Sequence, residues 1–301
     1  MSGAILKPLQ VEFGDIVAGP ETRIPLGKIS GLGTAPLRDV TYDNPGADGR
    51  SFGREYRSGR DLVFEGSVAV PGAQSTVWGI SGELEAWFDA TDYRRDPRKV
   101  TSLRFRRPGS QTRVVYGRPD RYDPEMEQAV HGFIPWSAIF RAADDRYYGD
   151  VENTIRLAVM SQSEGHIIAP DGILRSPIRT TISGSRSTLI RNAGDTGTWP
   201  VIKITGPITD PYVAILGEDG ELWRLGIEGA IAYDQVALID TRPWSREVSL
   251  NGGPLGARLT RTSVPSRALI PAGVVDVVVG GIDLTGTATF DISWRDAYQK
   301  P

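Results

Sequence analysis

Residues 192–217 restrict the fold most, because two apolar segments there are separated by closely spaced breaks in regular structure. Residues 199–205 are rich in β-branched side chains and alternate as a buried strand does, and residues 212–216 form a second apolar segment. Proline lacks an amide donor and fixes φ, so it interrupts regular pairing. The pattern predicts a strand, a turn and a second strand, as in a β-sandwich hairpin. The turn residues are Gly206, Pro207, Asp210 and Pro211.

The rest of the second half continues this β pattern. Residues 287–295 alternate between apolar and polar side chains, which is typical of a strand with one buried face. Residues 274–279 are a valine-rich run between two glycines, and we expect a strand that is buried on both faces. About eight short strands without a helix pattern predict a jelly roll of two sheets.

The first half combines predicted strands with one predicted helix. An amphipathic helix is expected over residues 77–90, although two glycines weaken it by roughly 1 kcal/mol each relative to alanine. A hairpin is predicted at residues 103–116, and its basic outer face is expected to be solvated or to lie at an interface. A strand at residues 155–159 is predicted to close this half. The helix's apolar positions are Val77, Ile80, Leu84, Trp87 and Phe88.

Residues 39–61 form a polar, glycine-rich segment that contains four arginines. A solvated loop and a contact arm for a neighbouring subunit are both compatible with this composition, since long structureless loops are uncommon and usually functional. A phosphate-binding loop is not expected, because no Gly-Lys-Ser/Thr sequence follows the glycines. The candidate inter-subunit contact residues are Asn44, Arg50, Phe52, Arg54, Tyr56 and Arg57.

The chain contains few residues that carry catalytic or metal chemistry. It has no cysteine, and its two histidines, His131 and His166, are far apart. A transition-metal site, a thiol nucleophile and a histidine-dependent hydrolase are therefore not expected. Of the paired carboxylates, Asp144 and Asp145 are expected in an acidic loop without an apolar pocket to raise a pKa. The other acid pairs are Glu83 with Glu85 and Glu218 with Asp219. We expect no catalytic residue, no metal ligand, no cofactor and no enzyme activity.

Charge and hydropathy limit the partners of the chain. The net charge of −3 argues against sequence-specific nucleic-acid binding, which needs a basic surface to neutralise phosphates. No apolar run approaches the roughly 20 residues of a membrane helix, so membrane insertion is not expected.

Three tryptophans of the second half raise the possibility of glycan binding. Jelly rolls often bind sugars by stacking aromatic rings on them, whereas most tryptophans in a sandwich are core residues whose N–H finds a partner. Both interpretations are open for Trp199, Trp223 and Trp244.

The amino-acid sequence of the 192–217 segment is similar to a run in the second domain of siphophage distal tail (Dit) proteins. The shared features are Asn-x-Gly-Asp, a proline-led apolar strand and then Gly-Pro-Ile-Thr-Asp-Pro. The first half resembles the ring-forming N-terminal domain of that family in its order: an Asn-Pro-Gly arm, a Phe-Glu-Gly strand, a helix and a Leu-Arg-Phe hairpin. The resemblance implies a mainly β protein, with an N-terminal β-sandwich carrying one helix (residues 1–165) and a galectin-like jelly-roll sandwich (residues 166–301).

The same resemblance implies a structural role at the tail tip, or baseplate, of a long-tailed bacteriophage. Such a minor tail protein forms a hexameric ring that connects the tail tube to the tail hub and host-adsorption apparatus. The implied partners are other copies of itself, the tail tube protein, the tail hub or tail-associated protein and the tape measure protein. The implied location is the virion, after assembly in the host cytoplasm. The alternative is a carbohydrate-binding sandwich that recognises host surface glycans, and a host receptor is a further possible partner.

Overall fold

The computed structural model describes residues 5–38, 40–159 and 184–301. The chain divides into two compact units, one of Met1–Asp150 with Tyr298–Pro301 and the other of Val151–Ala297. Both are built from antiparallel strands, which confirms the predicted mainly β fold.

The first unit is organised around one large sheet and a helix. Its strands are β1 (Val11–Phe13), β2 (Ile16–Ala18), β3 (Leu26–Ser30), β4 (Leu37–Arg38), β5 (Thr41–Asp43), β6 (Arg50–Phe52), β7 (Tyr56–Arg57), β8 (Asp61–Ala69), β9 (Thr101–Arg106), β10 (Thr112–Pro124), β11 (Phe133–Ala142) and β12 (Tyr147–Gly149). Its helices are α1 (Gln74–Asp89), α2 (Thr91–Arg95) and a 3-10 helix at Met126–His131. The sheet has the order β2-β1-β9-β10-β11-β8-β3, and β12 also pairs with β10.

Helix α1 forms because its apolar residues recur every three or four positions and pack on the sheet. Its buried residues are Val77, Ser81, Leu84 and Phe88, which lie against β8, β10 and β11. The Phe88 ring lies 5.5 Å from Phe13 in the aromatic core. Full burial of such a side chain stabilises the fold by about 1.5–3 kcal/mol. The predicted helix is confirmed, although it begins three residues earlier than expected, and the short α2 was not predicted.

The second unit consists of two packed sheets. Its strands are β13 (Asn153–Ala158), β14 (Gly184–Asn192), β15 (Val201–Thr205), β16 (Ile208–Gly217), β17 (Gly220–Gly226), β18 (Ala230–Ile231), β19 (Val236–Asp240), β20 (Val248–Leu250), β21 (Gly253–Pro254), β22 (Gly273–Ile282) and β23 (Thr289–Trp294). The last strand, β24 (Ala297–Tyr298), pairs with β12. One sheet has the order β13-β23-β15-β19-β20-β21, and the other has the order β14-β22-β16-β17 with β18 beside β16. Short 3-10 helices occupy Gly256–Arg258 and Pro265–Arg267.

The predicted alternation at residues 287–295 is confirmed by β23, in which Phe290, Ile292 and Trp294 are buried. The valine-rich run at 274–279 forms β22, but the prediction of burial on both faces is wrong. Val275, Val277 and Val279 are buried, whereas Asp276 and Val278 between them are half-buried and the preceding residue is exposed. In a two-layer sandwich only one face of each sheet meets the core, so even a valine-rich strand has an outer face.

The two strands of the 192–217 segment are confirmed, but they do not form a hairpin. Strand β15 pairs with β19 and β23, whereas β16 pairs with β17, β18 and β22. The turn at Gly206–Pro207 therefore carries the chain from one sheet to the other. Apolar periodicity shows that a strand has a buried face, but it does not show which strand lies beside it.

The strand predicted at residues 155–159 exists as β13, but its assignment to the first half is wrong. It pairs with β23 along six residues, which places it in the second unit. The predicted domain boundary at 165/166 lies outside the described residues, and the two units divide after Asp150.

Candidate functional site

The polar segment between β3 and β8 contains an extended hairpin, which we call the arm (residues 37–57, of which 39 is not described). Strands β4 and β7 pair near its base, and β5 and β6 pair farther out, with Thr41 opposite Phe52 and Asp43 opposite Arg50. The Asn44 amide N–H donates to the Gly49 carbonyl at 3.1 Å and closes the turn. The segment pairs with itself, and its described residues are exposed or half-buried. Solvation and contact with a neighbouring subunit both stay predictions.

The arm exposes an unusual amount of apolar surface. Five of its large side chains are between 48% and 75% exposed. A two-stranded ribbon has no core of its own and is marginally stable in water, and contiguous exposed apolar surface commonly marks a contact site. The arm is therefore a candidate contact surface. The five residues are Leu37, Val40, Tyr42, Phe52 and Tyr56.

All six residues that the sequence marked as candidate contacts lie on this hairpin. Asn44 accepts a hydrogen bond from the Ser51 hydroxyl at 2.6 Å, and Arg50 lies 3.2 Å from the Asp43 carboxylate. The guanidinium of Arg54 lies 5.1 Å from the centre of the Tyr56 ring. Phe52 is the most exposed apolar side chain of the arm. Arg57 is 3.6 Å from Asp145 in its own unit, so it holds the base of the arm.

A buried arginine, which the sequence did not single out, anchors the arm at its base. Arg60 is only 3% exposed, and it donates hydrogen bonds to the carbonyls of Gly33, at 2.7 Å, and Asp145. Its guanidinium also bonds to the Tyr147 hydroxyl, which in turn donates to the Leu32 carbonyl at 2.9 Å. The segments on both sides of the arm are thus tied to one buried cation. Charge and a position beside a strand were the only sequence signals for it.

The hairpin predicted at 103–116 is confirmed as β9 and β10, but Arg104 on its basic face is not solvated. Arg104 is mostly buried and lies 2.6 Å from the Glu12 carboxylate and 2.7 Å from that of Asp150. The hydrogen bond to Asp150 is the largest cause that raises the pKa of Arg104. Glu12 lies on β1, the neighbour of β9, and Asp150 directly follows β12, so residues far away in sequence supply the two acids.

Asp144 contradicts the expectation that its loop lacks an environment able to shift a pKa. Its carboxylate is buried, accepts a hydrogen bond from the Tyr148 hydroxyl at 2.5 Å and accepts another from the Arg146 amide at 3.2 Å. Burial raises the pKa of Asp144 to about 6. Its neighbour Asp145 pairs with arginine, so the two carboxylates have different environments. Of the other predicted acid pairs, Glu83 and Glu85 are exposed on α1, and Glu218 and Asp219 are exposed in the β16–β17 turn.

The predicted motif turn at residues 206–211 has a structural role, which depends on contacts with the main chain. The Gly206 amide donates to the Gln235 carbonyl at 3.1 Å, and a Cβ at this position would lie 2.2 Å from the Ala232 oxygen. Asp210 has a φ of 49° and accepts a hydrogen bond from the Gly229 amide at 2.6 Å. Asp210 and Pro211 were expected to end the strand, but β16 continues through them with a shift in register.

The three tryptophans proposed for glycan stacking are half-buried. The indole N–H of Trp223 donates to the Leu269 carbonyl at 2.7 Å, and its ring packs against the core of the second unit. The Arg242 guanidinium lies 5.7 Å from the centre of the Trp244 ring. Trp199 precedes β15. Glycan binding by these residues stays a prediction.

Among the described residues, no group of three or more histidines or acids is placed to hold a metal ion. His131 is exposed at the end of the 3-10 helix, and His166 lies outside the described residues. Within the same part of the chain, no helix is both long and apolar enough to span a membrane.

The described residues form a helix-bearing sheet with an exposed arm, followed by a two-sheet sandwich. Solved phage tail proteins have a similar overall fold. The crystal structure of the Dit protein of phage SPP1 matches with a TM-score of 0.53 and 14% identity, covering 91% of this chain and 93% of that one. The phage P2 baseplate, in its activated conformation with Ca and again with Sr, matches with a TM-score of 0.52 and 12% identity, covering 94% of this chain and 96% of that one. No family model and no curated protein matches the chain. The chain therefore has the fold of phage Dit and baseplate proteins, which confirms the resemblance at the level of the fold.

Proposed function

We propose that this chain is a structural protein of a bacteriophage tail tip, where copies of it form a ring between the tail tube and the tail hub. The fold is shared along nearly the whole length of proteins whose structures are described as a hub for adsorption and as a baseplate. The observation that carries the proposal is the arm, because it presents apolar side chains that the described residues of its own chain leave exposed.

An arm that binds a different surface on the next copy makes a heterologous contact. Such contacts produce a closed ring when the rotation between copies divides a full turn, and six copies are the number implied by the family resemblance. No catalytic residue is needed for this work. Asn44, Arg50, Phe52, Arg54 and Tyr56 are the proposed contact residues, and Arg57 supports them from the base.

A ring at this place surrounds the path of the phage genome. The net charge of −3 suits that position, because a strongly basic lumen would bind the phosphate backbone and retain the DNA. The proposed partners, besides other copies, are the tail tube protein, the tail hub protein and the tape measure protein.

The test is the mass of the purified protein, measured by light scattering during size-exclusion chromatography over a wide range of concentration. We expect a mass of six times the 32.7 kDa of the chain, or of three or twelve times that chain mass. The same measurement is repeated with the purified tube and hub proteins present. A monomer in both series would contradict the proposed ring.

A further inference from the structure

A second exposed apolar surface lies on the first unit, away from the arm in sequence. It consists of Trp78 in the first half of α1 and of Met126 and Val130 in the 3-10 helix, which are 43%, 45% and 66% exposed. We call these three residues the helix patch. An exposed tryptophan beside two exposed aliphatic side chains is rare on a surface that only meets water.

Two contacts place the 3-10 helix alongside the first half of α1. Before the 3-10 helix, the Tyr122 hydroxyl lies 3.0 Å from the Ser81 hydroxyl on α1. After it, the Gly132 carbonyl accepts a hydrogen bond at 3.0 Å from Val70, just before α1 begins. Val77 and Ala129 are buried in the same core cluster. Trp78 and Val130 directly follow them in sequence, and Met126 begins the 3-10 helix that contains Ala129.

On the exposed side of α1 around the helix patch, a partner could also approach the helix backbone closely. Gly79 and Gly82 lie on this side, and a Cβ added to either would meet nothing within 4 Å. The fold of the single chain thus has room for alanine, a better helix former, at both positions. A partner that lies close to the helix backbone gives a reason for glycine there.

The arm as a whole is neutral, with four arginines and four acids, but its second half, which carries Phe52, and the helix-patch surroundings have opposite charges. Residues 74–89 and 125–131 contain five acids and no lysine or arginine, whereas residues 50–57 of the arm contain three arginines and one glutamate. Opposite charges steer two surfaces together and fix their register. The acids are Glu83, Glu85, Asp89, Glu125 and Glu127, and the arginines are Arg50, Arg54 and Arg57.

We propose that the arm of one copy docks on the helix patch of the next copy, with Phe52 and Tyr42 against Trp78, Met126 and Val130. This inference rests on the proposed self-assembly and names its two surfaces. In the described residues, a chain's own arm leaves its own helix patch exposed. About ten residues separate the base of the arm from its turn, and an extended chain of that length reaches roughly 30 Å, which is enough to cross to a neighbour.

The absence of native cysteine permits a direct test by disulfide trapping. Phe52→Cys and Val130→Cys are prepared as separate proteins, mixed at equal concentration and oxidised. A disulfide needs the two Cα atoms within about 7 Å, so it reports close contact. We expect the mixture to yield several times more covalent dimer than either variant alone. Leu284→Cys, whose native side chain is 73% exposed in the second unit, replaces Val130→Cys in the matched control.

Because disulfide geometry is strict, Tyr42→Cys with Met126→Cys and Phe52→Cys with Trp78→Cys are tested in the same way. The docking is contradicted when no pair exceeds the Leu284→Cys control while light scattering still shows assembly, and the proposed ring then stands without it. Failure of every pair, together with a native protein that stays monomeric even when the tube and hub proteins are present, overturns both proposals. Dimer formation by at least one pair, well above the control, supports the docking.

Discussion

The guanidinium of Arg60 lies 4.2 Å from the centre of the Tyr147 ring, in the interior at the base of the arm. This contact joins the strand that follows the arm to β12, and the hydrogen bonds of Arg60 join both to the segment before the arm. The exposed hairpin thereby has a buried attachment, and ordering before contact reduces the entropy lost in assembly.

Replacing Arg60 with methionine should destabilise the first unit by about 2–4 kcal/mol, because buried carbonyl groups and a tyrosine hydroxyl lose their charged donor. Urea unfolding followed by tryptophan fluorescence measures the change. Arg54→Met is the matched control, since Arg54 is exposed and its loss should change stability by less than about 0.5 kcal/mol. If the two substitutions changed stability equally, the anchoring role of Arg60 would be contradicted.

Phe52→Asp should abolish assembly and leave the single chain folded, because the change places a charge at the most exposed apolar residue of the arm. Unfolding free energy should change by less than about 0.5 kcal/mol, as expected for a solvent-exposed site. Light scattering measures the assembly, and Leu284→Asp serves as the control for adding an acid at an exposed leucine. Deleting residues 44–58 is expected to have the same effect as Phe52→Asp. A ring that persists in either arm variant would show that the arm is not the contact.

Asp144 should make stability depend on pH. Burial raises the pKa of this carboxyl from 3.8 to about 6, so the folded protein holds the proton more tightly than the unfolded chain does. Its contribution is complete below the unfolded pKa and is lost as the pH rises through the folded pKa. The loss amounts to roughly 3 kcal/mol, at about 1.4 kcal/mol per pKa unit.

Asp144→Asn should therefore reduce the fall in unfolding free energy between about pH 4 and pH 7, measured by urea titrations at each pH. Glu83→Gln on the exposed face of α1 is the matched control for removing one carboxylate at an exposed position. An Asp144→Asn profile identical to that of the native protein would exclude a raised pKa for this carboxyl.

Two glycine-to-alanine substitutions should have opposite effects. Gly206→Ala places a Cβ 2.2 Å from a backbone oxygen, and we expect a loss of at least about 2 kcal/mol, as for other sites with strained packing. Gly82→Ala meets open space in a helix and should stabilise the single chain by up to about 1 kcal/mol. Thermal unfolding of the two variants compares them directly. A neutral Gly206→Ala would show that the turn between the two sheets rearranges easily.

Much of the fold follows from local pattern alone. The alternation in β23 and the spacing of Val77, Leu84 and Phe88 in α1 predict elements that the structure contains. Each of these depends on side chains within one element, and the periods of strands and helices are set by backbone geometry. The composition of residues 39–61 also indicated an arm as one of two alternatives in this segment, and the six candidate contact residues all lie on the arm.

Only the tertiary structure decided which neighbours these elements meet. Strands β15 and β16 belong to different sheets, Arg104 faces Glu12 and Asp150, and Asp144 is buried against Tyr148. Pairing order, the partner of a charge and the burial of a carboxyl all depend on residues far away in the chain. The sequence by itself determined the strands, the helix and the polar arm, because their periodicity and composition are local. The exposed apolar faces of the arm and of α1 emerged only when packing had covered the rest of the core.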